Sequence, residues 1–185
     1  MRGEMATTFE IEAEPLTAEA FAPYGQLITA LDGAADYARP LLDIWHLDFR
    51  ADAPARIQIM RYHEQPMTFS RLERHTHVTE GRIPLAGACA VLAVAGVTGA
   101  APDDGPDPSS VRAFRFDGNC GLLFAPGVWH SLDCFPVAMP HADFVLLSDH
   151  KTEDEIEAWT RPTSGERTHV VDYAPRGIEF CFIGC

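Results

Sequence analysis

The stretch Glu73-Arg74-His75-Thr76-His77-Val78-Thr79-Glu80-Gly81-Arg82-Ile83-Pro84-Leu85-Ala86-Gly87 carries the densest chemistry in the chain. In an extended strand alternate side chains share a face, so Glu73 and His75 project together. Glu80 follows a few residues on. Further along, Pro126-Gly127-Val128-Trp129-His130 sets a histidine just after a Pro-Gly turn, which is rigid enough to aim a side chain. Glu73, His75, Glu80 and His130 meeting inside a small β-barrel would make a divalent-metal site. Two imidazoles and two carboxylates suit Ni, Mn, Fe or Zn.

The residues around this stretch alternate as strands do. Arg56–Tyr62, Phe69–His77, Arg82–Leu85, Val111–Phe116, Gly121–Ala125, Ala142–Ser148 and Ile178–Ile183 are expected strands, as is Ile44–Phe49. Ala88–Val97 is the most apolar run, and its valines favour a buried strand. Residues 30–40 and 99–110 read as loops. Leu16–Ala22 is a short expected helix with Thr17 as cap. Thr152–Trp159 is another, capped by Thr152 with Glu155 three residues on. Roughly eight to ten short strands and few helices indicate an all-β barrel, with a jelly roll fitting best. Residues 1–185 show no repeat and no composition break, so a single domain is expected.

The 185 residues carry a formal net charge of -13. That argues against a nucleic-acid partner, because an anionic surface gains nothing from counterion release. An anionic substrate would need its own arginine. No apolar run approaches the roughly twenty residues a membrane helix needs, so no membrane partner is expected. The opening MRGEMATTFEIEAEP has no apolar core of a secretory signal. Five cysteines without C-x-x-C spacing read as free thiols in a reducing cytoplasm.

Each candidate also has a plainer reading. His75 could be a structural histidine, and Leu72–Glu80 a solvated charged face. His77 keeps the parity of Glu73 and His75 but falls where the chain begins to turn, so it is either a substrate contact or a bystander. His130 is a ligand or a general base, and Glu80 a ligand or a base; Trp129 reads as packing. Arg61 and Arg82 are the arginines near the motif that could clamp a substrate carboxylate as planar, bidentate partners. No phosphate loop, nucleophile elbow or dinucleotide fingerprint is present.

The spacing of Glu73, His75, Glu80 and Gly87 resembles the cupin metal motif, with Glu73 in place of its first histidine, and Gly127-Val128-Trp129-His130 resembles the second half. Other pieces resemble the ureidoglycolate lyase family of cupin-like, often dimeric proteins. They are Phe21-Ala22-Pro23-Tyr24-Gly25-Gln26-Leu27-Ile28, Leu72-Glu73-Arg74-His75, Thr79, Ile83-Pro84-Leu85 and Arg112-Ala113-Phe114. The resemblance covers about residues 14–150, and the tail 161–185 is unlike the family. It implies a cupin-like jelly-roll barrel with a few peripheral helices, a homodimer, and cleavage of ureidoglycolate to glyoxylate and urea. Arg61, Glu73, His75 and His130 match family positions. Glu80 stands where the family has Gln, and Arg82 where it has an aromatic residue. Cys120–Ala125 is apolar where the family is polar, and Ser131 replaces a histidine.

On that resemblance, a metal would bind the carboxylate and hydroxyl of a small acid, Glu80 or His130 would take the hydroxyl proton, and Arg61 or Arg82 would orient the carboxylate. Two other functions fit the same residues: a metal-dependent cupin isomerase, decarboxylase or dioxygenase acting on another small acid, and a non-catalytic small-acid-binding cupin.

Overall fold

A computed structural model describes residues 7–30, 34–99, 101 and 103–185. The readings of residues 1–6, and of 31–33, 100 and 102 in the expected loops, lie outside the described residues. In chain order the elements are β1 (Thr7–Pro15), α1 (Ala18–Phe21), β2 (Gly25–Ile28), β3 (Tyr37–Arg39), β4 (Leu42–Ile44), β5 (Ala55–His63), β6 (Thr68–Phe69), β7 (Arg71–His75) and β8 (Glu80–Pro84). They continue as β9 (Ala90–Ala95), β10 (Arg112–Phe116), β11 (Gly121–Phe124), β12 (Trp129–Ser131), β13 (Phe135–Pro136), β14 (His141–Asp149), α2 (His150–Glu157), β15 (Thr168–Asp172) and β16 (Ile178–Ile183).

One sheet runs β15-β7-β12-β9-β10-β1-β16-β6, with β13 also paired to β9. A second runs β2-β11-β8-β14-β5. The fold is all-β and cupin-like, as expected. No helix among the described residues is long and apolar enough to cross a membrane.

Strand β9 explains why its sequence is uninterruptedly apolar. Leu92 and Val94 pack between the sheets with Phe114, Phe116, Leu122, Phe124 and Phe144. Val91, Ala93 and Ala95 pack on the other side with Leu72, Trp129, Tyr173 and Phe180. A strand covered on both faces has no polar side to show. The cover on the second face comes from the chain's two ends. β1 pairs in parallel with both β10 and β16, and Phe180 stacks on Phe69 at 4.9 Å between centroids.

Several expectations are corrected. Ile44–Phe49 is not one strand: β4 ends at Ile44, and the next residues satisfy their amides elsewhere. His46 N–H donates to Asp36 Oδ2 at 2.7 Å and Asp48 N–H to Gln26 Oε1 at 2.9 Å. Arg50 then bonds Thr79, whose N–H donates to its carbonyl at 2.8 Å. Helix α2 starts before Thr152, because Asp149 caps it by accepting from Thr152 N–H at 2.8 Å. The expected loop 30–40 contains β3. The irregular stretch expected after Arg161 contains β15, which pairs along β7. The tail is therefore part of the main sheet.

Phe180 is fully buried and also meets the rings of Phe9 and Tyr173 at 5.9 and 5.3 Å. Phe180→Ala is expected to cost about 3–5 kcal/mol in denaturant unfolding, the range for truncating a buried phenylalanine. A change under about 1 kcal/mol would mean the tail is an appendage that the barrel does not need.

Candidate active site

Both sheets deliver the site, β7 and β12 as neighbours in one and β8 from the other, and alternation decides which side chains enter it. On β7, Leu72 faces the outer cluster, so Glu73 and His75 face the interior. On β12, His130 pairs with Glu73 on one side and with Val94 on the other, while Trp129 packs outward. On β8, Glu80 and Arg82 share the inward parity, and all five side chains are buried. The Pro126-Gly127 turn docks against the end of β7: Gly127 N–H donates to the His75 carbonyl at 2.7 Å. Gly127 has a φ of 85°, a left-handed conformation that glycine adopts without strain.

The two imidazoles meet, with ring centroids 5.2 Å apart. Glu80 lies between three cationic or basic groups. Its Oε2 is 2.7 Å from His75 Nε2 and 3.6 Å from His130 Nε2, and its Oε1 accepts from Arg82 Nε–H at 2.6 Å. Arg82 Nη1 approaches Cys134 Sγ at 3.3 Å and Nη2 approaches His130 Nδ1 at 3.4 Å. His130 is sandwiched by the Phe124 ring, stacked at 4.6 Å. Its Nδ1 lies 3.0 Å from the Ser131 carbonyl, which can only accept. That contact assigns the proton to Nδ1 and leaves Nε2 as a bare lone pair. His130 Nε2 is buried with no hydrogen-bond partner.

The electrostatics follow from burial and these contacts. Burial favours the neutral form of Glu80, but the charges of Arg82 and His75, with the hydrogen bond from His75, overcome it and hold its carboxyl well below the usual range. Burial would lower His75, yet Glu80 and Glu73 raise it to about 9. Burial raises Glu73 to about 7, the nearby charge of His75 opposing it. Burial drives His130 down to about 3 against the pull of Glu80, so its ring is neutral.

Among the described residues, Glu73, His75 and His130 form a group whose donor atoms lie within 4.8 Å of one another, compatible with a metal ion. Glu80, expected as a fourth ligand, is beside them but its two oxygens are engaged by Arg82 and His75. Two expected substrate contacts stay outside. Arg61 is on the outward face of β5, half exposed, where it makes a bidentate pair with Asp143 at 2.7 Å. Inward parity on β5 belongs to Met60 and Tyr62. His77 is exposed beyond the end of β7, with Nδ1 2.8 Å from Thr76 Oγ1. Sequence reading missed Cys134 and Phe124. It also missed Thr168, fully buried on β15, whose Oγ1 is 3.0 Å from His75 Nδ1. The sequence carried no signal for Thr168, because only the pairing of β15 with β7 brings it near.

A family model for ureidoglycolate lyase matches residues 8–165. The chain belongs to the ureidoglycolate lyase family. A protein of Burkholderia cepacia named ureidoglycolate lyase is 35% identical over 136 residues, covering 68% of this chain and 73% of the relative. One of Pseudomonas entomophila with the same name is 35% identical over 135 residues, 63% of this chain and 72% of the relative. One of Brucella anthropi, also so named, is 29% identical over 154 residues, 78% of this chain and 85% of the relative.

The Glu80–Arg82 pair has a measurable signature. Arg82→Met leaves a buried carboxylate without its main counter-charge and is expected to destabilise by about 3–5 kcal/mol. Adding Glu80→Met should recover most of that loss in chemical denaturation. Additive losses from the two single changes would show that the charges are not coupled.

Proposed function

We propose that this chain, acting as one domain over residues 1–185, is a lyase that cleaves ureidoglycolate to glyoxylate and urea. The observation that carries the reading is the convergence of two imidazoles, two carboxylates and a buried arginine inside a barrel of the ureidoglycolate lyase family. The relatives from Burkholderia cepacia and Pseudomonas entomophila bear that activity in their names.

The substrate carries a carboxylate, a hydroxyl and a urea nitrogen on one carbon. Arg82 has five N–H donors and one strong acceptor, Glu80. Its donors toward Cys134 and His130, at 3.3 and 3.4 Å, are poorly used and suit the substrate carboxylate. Glu80 Oε2, nearest the point where the imidazoles converge, takes the hydroxyl proton, its low proton affinity rising as the substrate carboxylate shares the charge of Arg82. The oxygen becomes the aldehyde carbonyl as the carbon–nitrogen bond breaks. The departing nitrogen keeps the bonding pair and collects the same proton from Glu80. No side chain of the cluster is more than 8% exposed, so bulk water is excluded from these transfers.

Glu73, His75 and His130 fit a divalent ion of the Ni, Mn, Fe or Zn class. Their donors converge, and the bare, unpartnered Nε2 of His130 is a ligand atom in waiting. When bound, such an ion would supply a Lewis acid that lowers the pKa of the substrate hydroxyl. A second reading, binding of a small acid without turnover, is favoured by one observation: Glu80 already has both oxygens engaged by Arg82 and His75.

His75→Ala and His130→Ala are each expected to lower urea release from ureidoglycolate by at least about 100-fold while far-ultraviolet dichroism keeps its β signature. Turnover at the wild-type rate in either variant would contradict these roles. Wild-type protein that binds ureidoglycolate and releases no urea would select the second reading.

A further inference from the structure

The match to the family ends at residue 165, yet the next strand reaches the site. We propose that Thr168 on β15 is a positioning residue for His75, so that the C-terminal tail completes the active centre. The inference rests on the lyase reading for its kinetic consequence, though not for its structural one.

Thr168 lies directly opposite His75 in the antiparallel pairing of β15 with β7 and is fully buried. Its Oγ1 is 3.0 Å from His75 Nδ1, while His75 Nε2 faces Glu80 Oε2 at 2.7 Å. The ring is therefore held at both nitrogens and cannot flip or tilt without losing a contact. A hydroxyl suits this place because it can donate to a bare Nδ1 or accept from a protonated one. If His75 offers Nε2 to an ion or a substrate, Nδ1–H must find an acceptor, and Thr168 Oγ1 is in reach.

Thr168 is itself held in place from outside the barrel. Glu155 of α2 accepts three successive backbone N–H groups at the entry to β15: Glu166 at 2.9 Å, Arg167 at 3.2 Å and Thr168 at 2.8 Å. A side chain at Gly165 would put its first carbon 2.5 Å from that carboxyl group and would push it off these amides. Arg167 ties the same turn to the end of β14 and the start of α2, donating to Asp149 Oδ2 at 2.9 Å and to Thr152 Oγ1 at 3.0 Å. A carboxylate capping a turn, an anchored arginine and a strand pairing all converge on placing one hydroxyl. A strand that only covered the edge of β7 would need none of this at position 168, where valine would fit a buried β position as well.

The test compares Thr168→Val, which keeps the branched shape and loses the hydroxyl, with Thr168→Ser, which keeps the hydroxyl. Thr168→Val is expected to lower kcat for urea release roughly 10- to 100-fold with KM changed less than about two-fold. Thr168→Ser should restore kcat to near wild type. In nitrogen-resolved imidazole NMR spectra without substrate, the His75 Nδ1 signal should shift in the valine variant and return in the serine variant, with His130 unmoved. Wild-type kcat and an unshifted His75 signal in Thr168→Val would overturn the proposal. Should the valine variant fail to fold, Thr168→Ala makes the same comparison with serine. A wild-type protein that releases no urea would sink the lyase reading alone, since the His75 signal still decides the role of Thr168.

Discussion

One buried carboxylate organises this molecule. Glu80 is removed from water on a strand whose neighbours are otherwise apolar, and moving a carboxylate inside costs several kcal/mol unless it is paired. Arg82, two residues along the same strand, and His75, across the turn from β7, supply the pairing at 2.6 and 2.7 Å. These contacts fix how β7 and β8 approach each other. The Gly127 bond to the His75 carbonyl then fixes where β12 enters and hence where His130 points. Remove the charge balance at Glu80 and the three strands lose their common reference.

The position also explains an oddity of the sequence. Glu80 and Arg82 are two of the positions at which the sequence reading expected departures from the family pattern, and in the fold they lie side by side on one face of β8 and pair. Two departures that would each be costly alone form one compensated ion pair. The pair leaves Arg82 with donors aimed at a thiol and at an imidazole edge, neither a good acceptor. That is the chemistry a small anionic ligand would meet in this chain.

Much of this was legible in the sequence because alternation is a local signal. The parity of Glu73 and His75, the turn ahead of His130 and the apolar run of β9 each encode their own orientation. Arg61 shows the limit of that reasoning: it lies near the motif in sequence and on a strand, but its parity faces outward and Asp143 claims it. The Ile44–Phe49 stretch alternates too, yet its amides found side-chain acceptors before any neighbouring strand did. Thr168 marks a different limit. Its place depends on β15 pairing with a strand far away in the chain, which no local pattern records. The parallel pairing of β1 with β16, which covers the outer face of β9, is hidden for the same reason.

The most direct measurement is a crystal structure of the protein soaked with glyoxylate, the carboxylate product of the proposed reaction. The account predicts the glyoxylate carboxylate within hydrogen-bond distance of Arg82, displacing its contact with Cys134, and the aldehyde oxygen between His75 and His130. Glyoxylate bound elsewhere, with Arg82, Glu80 and both imidazoles undisturbed at saturating concentration, would contradict it.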